Sequence, residues 1–466
     1  MTLTLPMRSP DPAAEALRRR LRPLHTAVFL QGFMLWVSVE KLFMTELGFD
    51  AAAVGVMAAA YSALVPLLEL PTGILADRWS RRGVLILSSV AITLGALFGG
   101  LSQNVTMYVV SALLFGVYVA CYSGTLDSVV YDTVLEETGD GADFQRRLGR
   151  VRAVEAVALV ISALAGGWVA GLLEPRVAYF LTVPFALASI GGYALFREPR
   201  LHRAAEPVAL RRHLALTVRA VTRRGRLLPI VTLGVLAAVI SQLVFEFGPL
   251  WLVALAVPAA AYGPYWAGLV STLGFGGLFA GRLRLDRPVN AWAAAGAMTV
   301  AALLLTADTG LVAVTAAQVT LALLTGLAAI HVSAVLHDAV PSAIRSGVAS
   351  GVSSLSWLAF LPVALGFGAL STAQGVHRAG WMLVALAILA GVLLAATARS
   401  AQPAIGCAGE PVPVLVGWGV SLDSRWMRTA SRRRPARRRG RPIPGLYRSI
   451  PDNAAGRRLG VGPRRQ

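Results

Sequence analysis

Apolar residues in this chain come in long blocks, and short stretches rich in Gly, Pro, Asn or charge separate them. A helix needs about 20 apolar residues to cross a bilayer. On that measure the blocks predict twelve spans, at about 25–47, 52–74, 83–102, 105–130, 153–173, 177–196, 228–255, 262–281, 289–307, 310–336, 346–370 and 378–397. They are numbered 1 to 12 below. The ninth is short, and the edges of the fourth and seventh are the least sharply marked.

Composition agrees with this pattern. The chain has 466 residues, 56% of them hydrophobic and 14% charged. Soluble proteins carry about 25% charged residues. A soluble surface needs more charge than this chain has, so the expected class is an all-α polytopic membrane protein. The first 25 residues are polar and arginine-rich, and the block after them is too long for a cleavable signal peptide. The two cysteines, Cys121 and Cys407, offer no disulfide framework and no metal-site spacing.

Charge placement sets the sides. The formal net charge is +19, and Lys41 is the single lysine. The N-terminal segment, the loops after spans 2, 4, 6, 8 and 10, and the C-terminal segment together hold 40 of the 42 arginines. Only Arg176 and Arg378 fall on the other side. Arginine collects on the cytoplasmic side of membrane proteins. Twelve spans with both termini in the cytoplasm, in the cell membrane, satisfy that bias.

The predicted organisation is a basic N-terminus at 1–24, six spans in 25–196, a basic loop at 197–227, six spans in 228–397, and a tail at 398–466. Two bundles of six helices suggest a parallel repeat. A degenerate echo supports it. Gly73-Ile-Leu-Ala-Asp77-Arg78 follows span 2, and Gly281-Arg-Leu-Arg-Leu-Asp286-Arg287 follows span 8.

The stretch from Gly73 to Arg82, GILADRWSRR, resembles motif A of the major facilitator superfamily, G-x-L-A-D-R-x-G-R-R/K. Gly73, Leu75, Ala76, Asp77, Arg78, Arg81 and Arg82 match, and Ser80 stands where the family usually has glycine. "SGTLDSVVYDTVLEETG" at the end of span 4 and "PSAIRSGVASG" before span 11 are similar to a bacterial subgroup of the same family. The resemblance covers residues 20–397. It implies a secondary transporter working by alternating access, without cofactor or bound metal.

For the hinge, the resemblance implies a latch. Its aspartate, here Asp77, docks on the start of helix 11. One of its arginines pairs with an acid near the end of helix 4. Asp127 and Asp132 are the two candidates, and depth favours Asp127. Gly73 would allow close helix approach.

Charges inside spans are costly and mark pathways or pairs. Glu40 and Lys41 lie in span 1, Glu69 in span 2, Gln242 and Glu246 in span 7, and His331 in span 10. Neighbouring helical residues point about 100° apart, so Glu40 and Lys41 are expected to pair poorly with each other. Spans 1 and 7 line the cavity in the superfamily. Glu40 and Glu246 are therefore the leading substrate or proton-coupling candidates, with Gln242 one turn from Glu246. A carboxylate drawn out of water holds its proton more tightly. The alternative for both is an acid hydrated at the outer mouth. His331 reads first as a packing histidine, and Glu69 as part of the gate.

Gly166, Gly167 and Gly171 in span 5, and Gly277 and Gly281 in span 8, have the small-residue spacing of close crossings. Trp36, Phe245, Trp251, Tyr262, Tyr265 and Trp266 are expected to form an interfacial belt. A substrate pocket is the alternative. Span 5 lacks the G-P-x-x-G-G motif, and span 4 lacks the arginine, of many drug–proton antiporters.

Low cavity charge favours a small amphipathic or hydrophobic solute. Proton-coupled efflux is the leading reading and proton-coupled metabolite uptake the second. A non-transporting sensor on the same scaffold is a third, from a different class. No HExxH, phosphate-binding loop or nucleophile elbow points to an enzyme.

The tail holds fifteen arginines against Glu410, Asp423 and Asp452, a composition that predicts disorder. The basic loops and tail are expected to meet anionic lipid headgroups rather than a specific nucleic acid. The expected assembly is a monomer.

Overall fold

A computed structural model describes residues 12–139, 143–199, 227–280, 283–339 and 345–400. The tail after Ser400 and most of the central loop lie outside these residues. The described residues are helical and contain no strand. Ten helices are long and apolar enough to cross a membrane. Ala259–Ala280 and the shorter Pro288–Leu304 complete the expected twelve.

Spans 2 to 6 are Ala51–Arg78, Arg81–Leu101, Val105–Thr138, Phe144–Leu172 and Pro175–Leu195. Spans 8 to 12 are Ala259–Ala280, Pro288–Leu304, Gly310–Ala339, Arg345–Gln374 and Val376–Ser400. Spans 1 and 7 are broken helices, described below.

Side-chain oxygens start several of these helices. Asp50, Ser80 and Asn104 each accept a backbone N–H three residues on, capping spans 2, 3 and 4. Gly139 ends span 4 at φ +75°, the left-handed conformation that glycine adopts without strain.

Span 1 starts earlier than its hydropathy predicts. A helix runs from Pro12 to Gln31, so the basic segment 12–24 is largely helical. Leu17, Leu21 and Leu24 are buried on one face while Arg18, Arg19 and Arg22 stay exposed. The arginines hide this amphipathic turn from a hydropathy average.

The outer surface is apolar, as lipid requires. Leu94, Phe98, Leu172, Leu195, Val289 and Val312 are among its exposed residues. Polar groups pair inside. Gln31 donates to Ser88 (3.0 Å) and Ser89 (3.1 Å) and accepts from Tyr193 (2.7 Å), tying spans 1, 3 and 6. Ser189 donates to Ser89 at 2.8 Å. Such bonds hold helices together where water cannot.

The expected aromatic belt is corrected. Trp36, Trp251, Tyr262, Tyr265 and Trp266 are buried and pack inside the protein. Among the described residues the exposed tryptophans are Trp79, Trp168, Trp292 and Trp381, near the ends of spans 2, 5, 9 and 12. They suit the interface better.

The first six and last six spans meet where spans 2 and 11, and spans 5 and 8, cross. Glycine makes both crossings possible. A Cβ on Gly55 would lie 2.6 Å from the Ala364 carbonyl, and one on Gly368 2.6 Å from the Ala51 carbonyl. A Cβ on Gly167 would lie 2.4 Å from the Gly263 nitrogen, and one on Gly171 2.8 Å from Ala260. Span 5 supplies its glycines as expected, but the partner on span 8 is Gly263. The side-chain surroundings of Gly277 and Gly281 are outside the described set. The Ala52 N–H donates to Thr372 at 2.8 Å beside the first crossing.

These contacts lie toward the end of the bundle remote from the chain termini, which is therefore closed. Gly167→Val should disfavour this closure, since overpacking a tight contact costs about 1–3 kcal/mol. Short-reagent cross-linking of an Ala52→Cys/Thr372→Cys pair should fall about tenfold in the Gly167→Val background. An unchanged yield would show that this crossing does not limit closure.

Candidate functional site

The buried ion cluster sits where spans 1 and 7 break. Span 1 stops at Gln31 and resumes as a 3-10 turn, Leu35–Val39, followed by a short helix, Glu40–Glu46. The freed backbone groups find side-chain partners. The Leu35 N–H donates to Thr182 at 3.1 Å, and Ser162 donates to the Gly32 carbonyl at 3.3 Å. Gly166 lets span 5 lie against the 3-10 turn, because a Cβ there would stand 1.9 Å from the Leu35 oxygen.

Span 7 is Leu228–Phe247 followed, past Gly248, by Pro249–Ala254. Gln318 donates to the Gly248 carbonyl at 3.3 Å. Irregular backbone at membrane depth is tolerated where neighbouring protein satisfies it in this way.

Glu40 follows the first break, and Glu246 precedes the second. Lys41 lies between them. Its ammonium is 2.5 Å from Glu246 and 3.2 Å from Glu40, and its side chain is 2% exposed. The expectation that Glu40 and Lys41 pair poorly is therefore corrected. The 100° rule describes Cβ directions, whereas the four-carbon lysine stem swings its charge between both carboxylates. Burying an ammonium is strongly unfavourable without such partners.

Tyr108 of span 4 donates to Glu40 at 3.1 Å and shares a 2.7 Å hydrogen bond with Tyr179 of span 6. Trp36 stacks on Tyr179 with ring centroids 5.2 Å apart. From this cluster an aromatic path follows span 4. Trp36 contacts Phe115, Phe115 contacts Tyr61 and Tyr118, and Tyr118 stacks on Tyr122. Tyr61 also meets Trp357 of span 11 edge-on, bridging the two sets of six spans at 5.8 Å.

The path ends at a second buried cation that sequence reasoning missed. Arg152 of span 5 is 4% exposed, 2.6 Å from Asp127 of span 4 and 3.0 Å from Glu155. Its guanidinium stands 5.8 Å from the Tyr122 ring centroid. Counted with the loop arginines after span 4, Arg152 read as a topological signal. Its spacing of three from Glu155 was the available clue.

This pairing also corrects the hinge. Asp127 is held by Arg152, and the hinge arginine Arg81 pairs with Asp132 instead. Arg81 also reaches Asp77, one turn earlier, at 3.2 Å. Asp77 is 41% exposed. The helix of span 11 starts at Arg345, but the side chains of its first residues, where a latch partner was expected, lie outside the described set. Arg78 is exposed, and Arg82 donates to the Ala194 carbonyl at 3.4 Å.

Gly73 has no atom within 4 Å of where a Cβ would stand, so no close approach needs it here. The glycine under pressure is Gly83, beneath the Trp79 indole at 2.9 Å. Ser80 has a clear role. It caps span 3 through the Gly83 N–H (2.9 Å) and donates to Glu198 at 2.6 Å. Glu198, just after span 6, also accepts the Arg81 N–H at 2.7 Å.

The remaining candidates lie apart from one another. Gln242 is one turn from Glu246, and its Oε1 is buried without a hydrogen-bond partner. His331 lies within electrostatic reach of Asp286, in the loop after span 8, and its Nε2 is likewise buried and unpartnered. Asp286 is bound by Arg284 at 2.7 Å, and this hydrogen bond holds its carboxyl below the usual range. Glu69 is exposed and in no described ion pair. Among the described residues no group of His, Cys, Asp and Glu could hold a metal ion.

Twelve apolar helices with paired charges buried between them define a polytopic membrane protein. The chain belongs to the Major Facilitator Superfamily, whose family model matches residues 24–358. It is similar to an uncharacterized MFS-type transporter of Mycobacterium tuberculosis, with 34% identity over 137 residues. That match covers 29% of this chain and 19% of the relative. It is also similar to the multidrug resistance protein 2 of Bacillus subtilis, 28% identical over 36% of this chain and 40% of that one. The matched stretches thus span well under half of these relatives.

Solved structures of similar fold include the nucleoside transporter NupG, at TM-score 0.63 and 14% identity, covering 82% of this chain and 98% of that one. Another is a bacterial homolog of the human lysosomal transporter Spinster in an inward-facing conformation, at TM-score 0.65 and 14% identity. That match covers 84% of this chain and 98% of the other. Family and fold are those of transporters.

Removing Lys41 alone would leave two carboxylates facing each other without compensation, at a cost of about 3–5 kcal/mol. Lys41→Met should therefore lower the thermal unfolding midpoint in detergent. Adding Glu246→Gln should recover much of the loss. A single mutant as stable as the parent would remove Lys41 from its structural role.

Proposed function

We propose that this chain is a secondary active transporter that exports a small amphipathic or hydrophobic solute in exchange for protons. It works by alternating access in the cell membrane, as a monomer with both termini in the cytoplasm. The observation that carries this reading is the placement of Lys41 between Glu40 and Glu246.

When all three groups are ionised the cluster carries one negative charge in excess. A proton on Glu246 balances it and turns the ion pair that crosses from span 1 to span 7 into a weaker, neutral hydrogen bond. Lys41 then keeps Glu40, its partner within the same span. Protonation at this point thus releases the closed end without stranding the buried ammonium. With no nucleotide-binding motif visible in the sequence, an ion gradient or the solute's own gradient is the proposed energy source.

The aromatic path along span 4 supports an amphipathic cargo. Tyr61, Phe115, Tyr118, Tyr122 and Trp357 offer aromatic faces, and the Tyr61 hydroxyl and Gln242 Oε1 are buried without partners. A buried polar group without a hydrogen bond costs about 1–3 kcal/mol, which a solute with matching donors and acceptors would relieve. Export is favoured by the similarity to a multidrug resistance protein. The arginine-rich face would lie against anionic headgroups.

Glu246→Gln should cut proton-driven transport about tenfold or more while leaving energy-independent solute exchange. Glu40→Gln should alter its pH dependence, because Lys41 then has no partner to fall back on. Normal pH-driven transport in both variants would defeat the coupling assignment.

The hinge completes the cycle as a latch at the other end. Among the described residues Asp77 is held by Arg81 of its own hinge. In the opposite state it would take up backbone N–H groups at the start of span 11. Asp77→Asn should reduce transport about tenfold with normal membrane insertion. Full activity in that variant would rule out the latch.

A further inference from the structure

A cavity of about 550 Å³ opens between spans 1 and 5, lined by Arg18, Leu21, Arg22, His25, Arg147, Arg150, Ala153 and Val154. It lies within the first six spans, toward the end that carries the N-terminus. It is separate from the Lys41 cluster and from the hinge.

Its arginines differ from their neighbours in one respect. Around them, Arg19 pairs with Glu15, Arg20 with Glu136 and Glu137, Arg146 with Asp143, and Arg152 with Asp127 and Glu155. Within the cavity only Arg147 has a carboxylate, and it shares Asp143 with Arg146. Arg18, Arg22 and Arg150 have no ion-pair partner among the described residues. Three uncompensated guanidinium groups around one recess repel one another. His25 gives its Nδ1–H to the Leu21 carbonyl at 2.7 Å, which fixes its ring beside them.

The lining is largely apolar, with Leu21, Ala153 and Val154 among it. Arginines around an apolar recess fit an anion with a hydrocarbon part. Guanidinium groups bind phosphate oxygens in bidentate fashion, and basic pockets between spans accept phospholipid headgroups.

We infer that this cavity is a binding site for a phosphate ester anion, occupied in the membrane by the headgroup of an anionic phospholipid. The inference sharpens the reading that the basic face meets anionic lipid: it assigns a built site rather than diffuse attraction. Its occupant would bridge span 1 to span 5 and compensate Arg18, Arg22 and Arg150 together. Those two spans also carry Lys41 and Arg152, so the lipid would brace the helices that hold these two buried cations.

The test uses the purified full chain in mixed micelles of phosphatidylcholine with or without phosphatidylglycerol. Native mass spectrometry counts retained lipid, and thermal unfolding reports stabilisation. The parent should retain phosphatidylglycerol over phosphatidylcholine and unfold at higher temperature with it. Arg22→Gln/Arg150→Gln should retain about 25-fold less, from about fivefold per arginine near the surface. Arg19→Gln/Arg146→Gln removes the same charge from two arginines outside the cavity that already have carboxylate partners, and should retain lipid like the parent.

Inorganic phosphate and glycerol phosphate form a separate arm. Stabilisation of the parent by these alone, lost in the cavity variant, would keep the phosphate site and assign it a soluble source. Equal loss in both double variants would overturn the site and leave only diffuse attraction. No preference for phosphatidylglycerol or phosphate in the parent would overturn it outright, a result that needs no variant to fold.

Discussion

A buried ammonium cannot stand alone in a membrane protein, and Lys41 is the only lysine this chain has. Its charge is compensated by one acid from its own span and one from span 7. To bring these groups together, both spans abandon regular helix near the cluster. Span 1 does so over Gly32 to Met34, and span 7 at Gly248. The break at Gly248 favours glycine, because a Cβ there would stand 2.2 Å from the Val244 carbonyl oxygen and 2.4 Å from the side-chain oxygens of Gln318 and Tyr265. The ion cluster, the broken spans and the tight glycines are therefore one arrangement.

The same end of the molecule collects the other contacts that cross between the two sets of six spans. Gly55 with Gly368 and Gly167 with Gly263 bring helix backbones within van der Waals reach. Close packing of this kind favours either full contact or separation, because a partial gap forfeits most of the dispersion energy. An ion pair at the centre of such an interface can act as a trigger. It adds a term sensitive to protonation to a contact that is otherwise insensitive to pH.

Much of this was legible in the sequence. Bilayer thickness dictates span length, so most predicted boundaries fall within a few residues of those observed. The exceptions have physical causes. Arg18, Arg19 and Arg22 conceal the amphipathic start of span 1, and buried ion pairs allow spans 4 and 5 to continue past their apolar blocks. Glu40 and Glu246 could be picked out because acids in apolar blocks are rare. Their common partner could not, since the reach of a lysine stem is absent from helical periodicity. Depth favoured Asp127 for the hinge arginine, yet Arg152 already neutralises it. Pairing depends on which cation a fold delivers first, and a linear count of charges does not hold that information. Ser80 likewise became interpretable only once Glu198, more than a hundred residues away in sequence, was seen beside it.

The two buried clusters have the same composition, one cation and two carboxylates, but different reach. Arg152 draws both acids from spans 4 and 5, which belong to the same set of six. A proton arriving there would change local solvation and leave the interface between the sets unaltered. Arginine also keeps its charge at any accessible pH, so it stands as a fixed counter-ion beside Tyr122. Lys41 is arranged otherwise, with one acid on each side of the interface. In the proposed cycle, that arrangement lets the choice of which carboxylate is protonated decide whether the ion pair joins the two sets. In the proposed cycle, the position of the cation relative to the interface, more than its identity, separates a cluster that can drive a conformational change from one that ties helices within a single set.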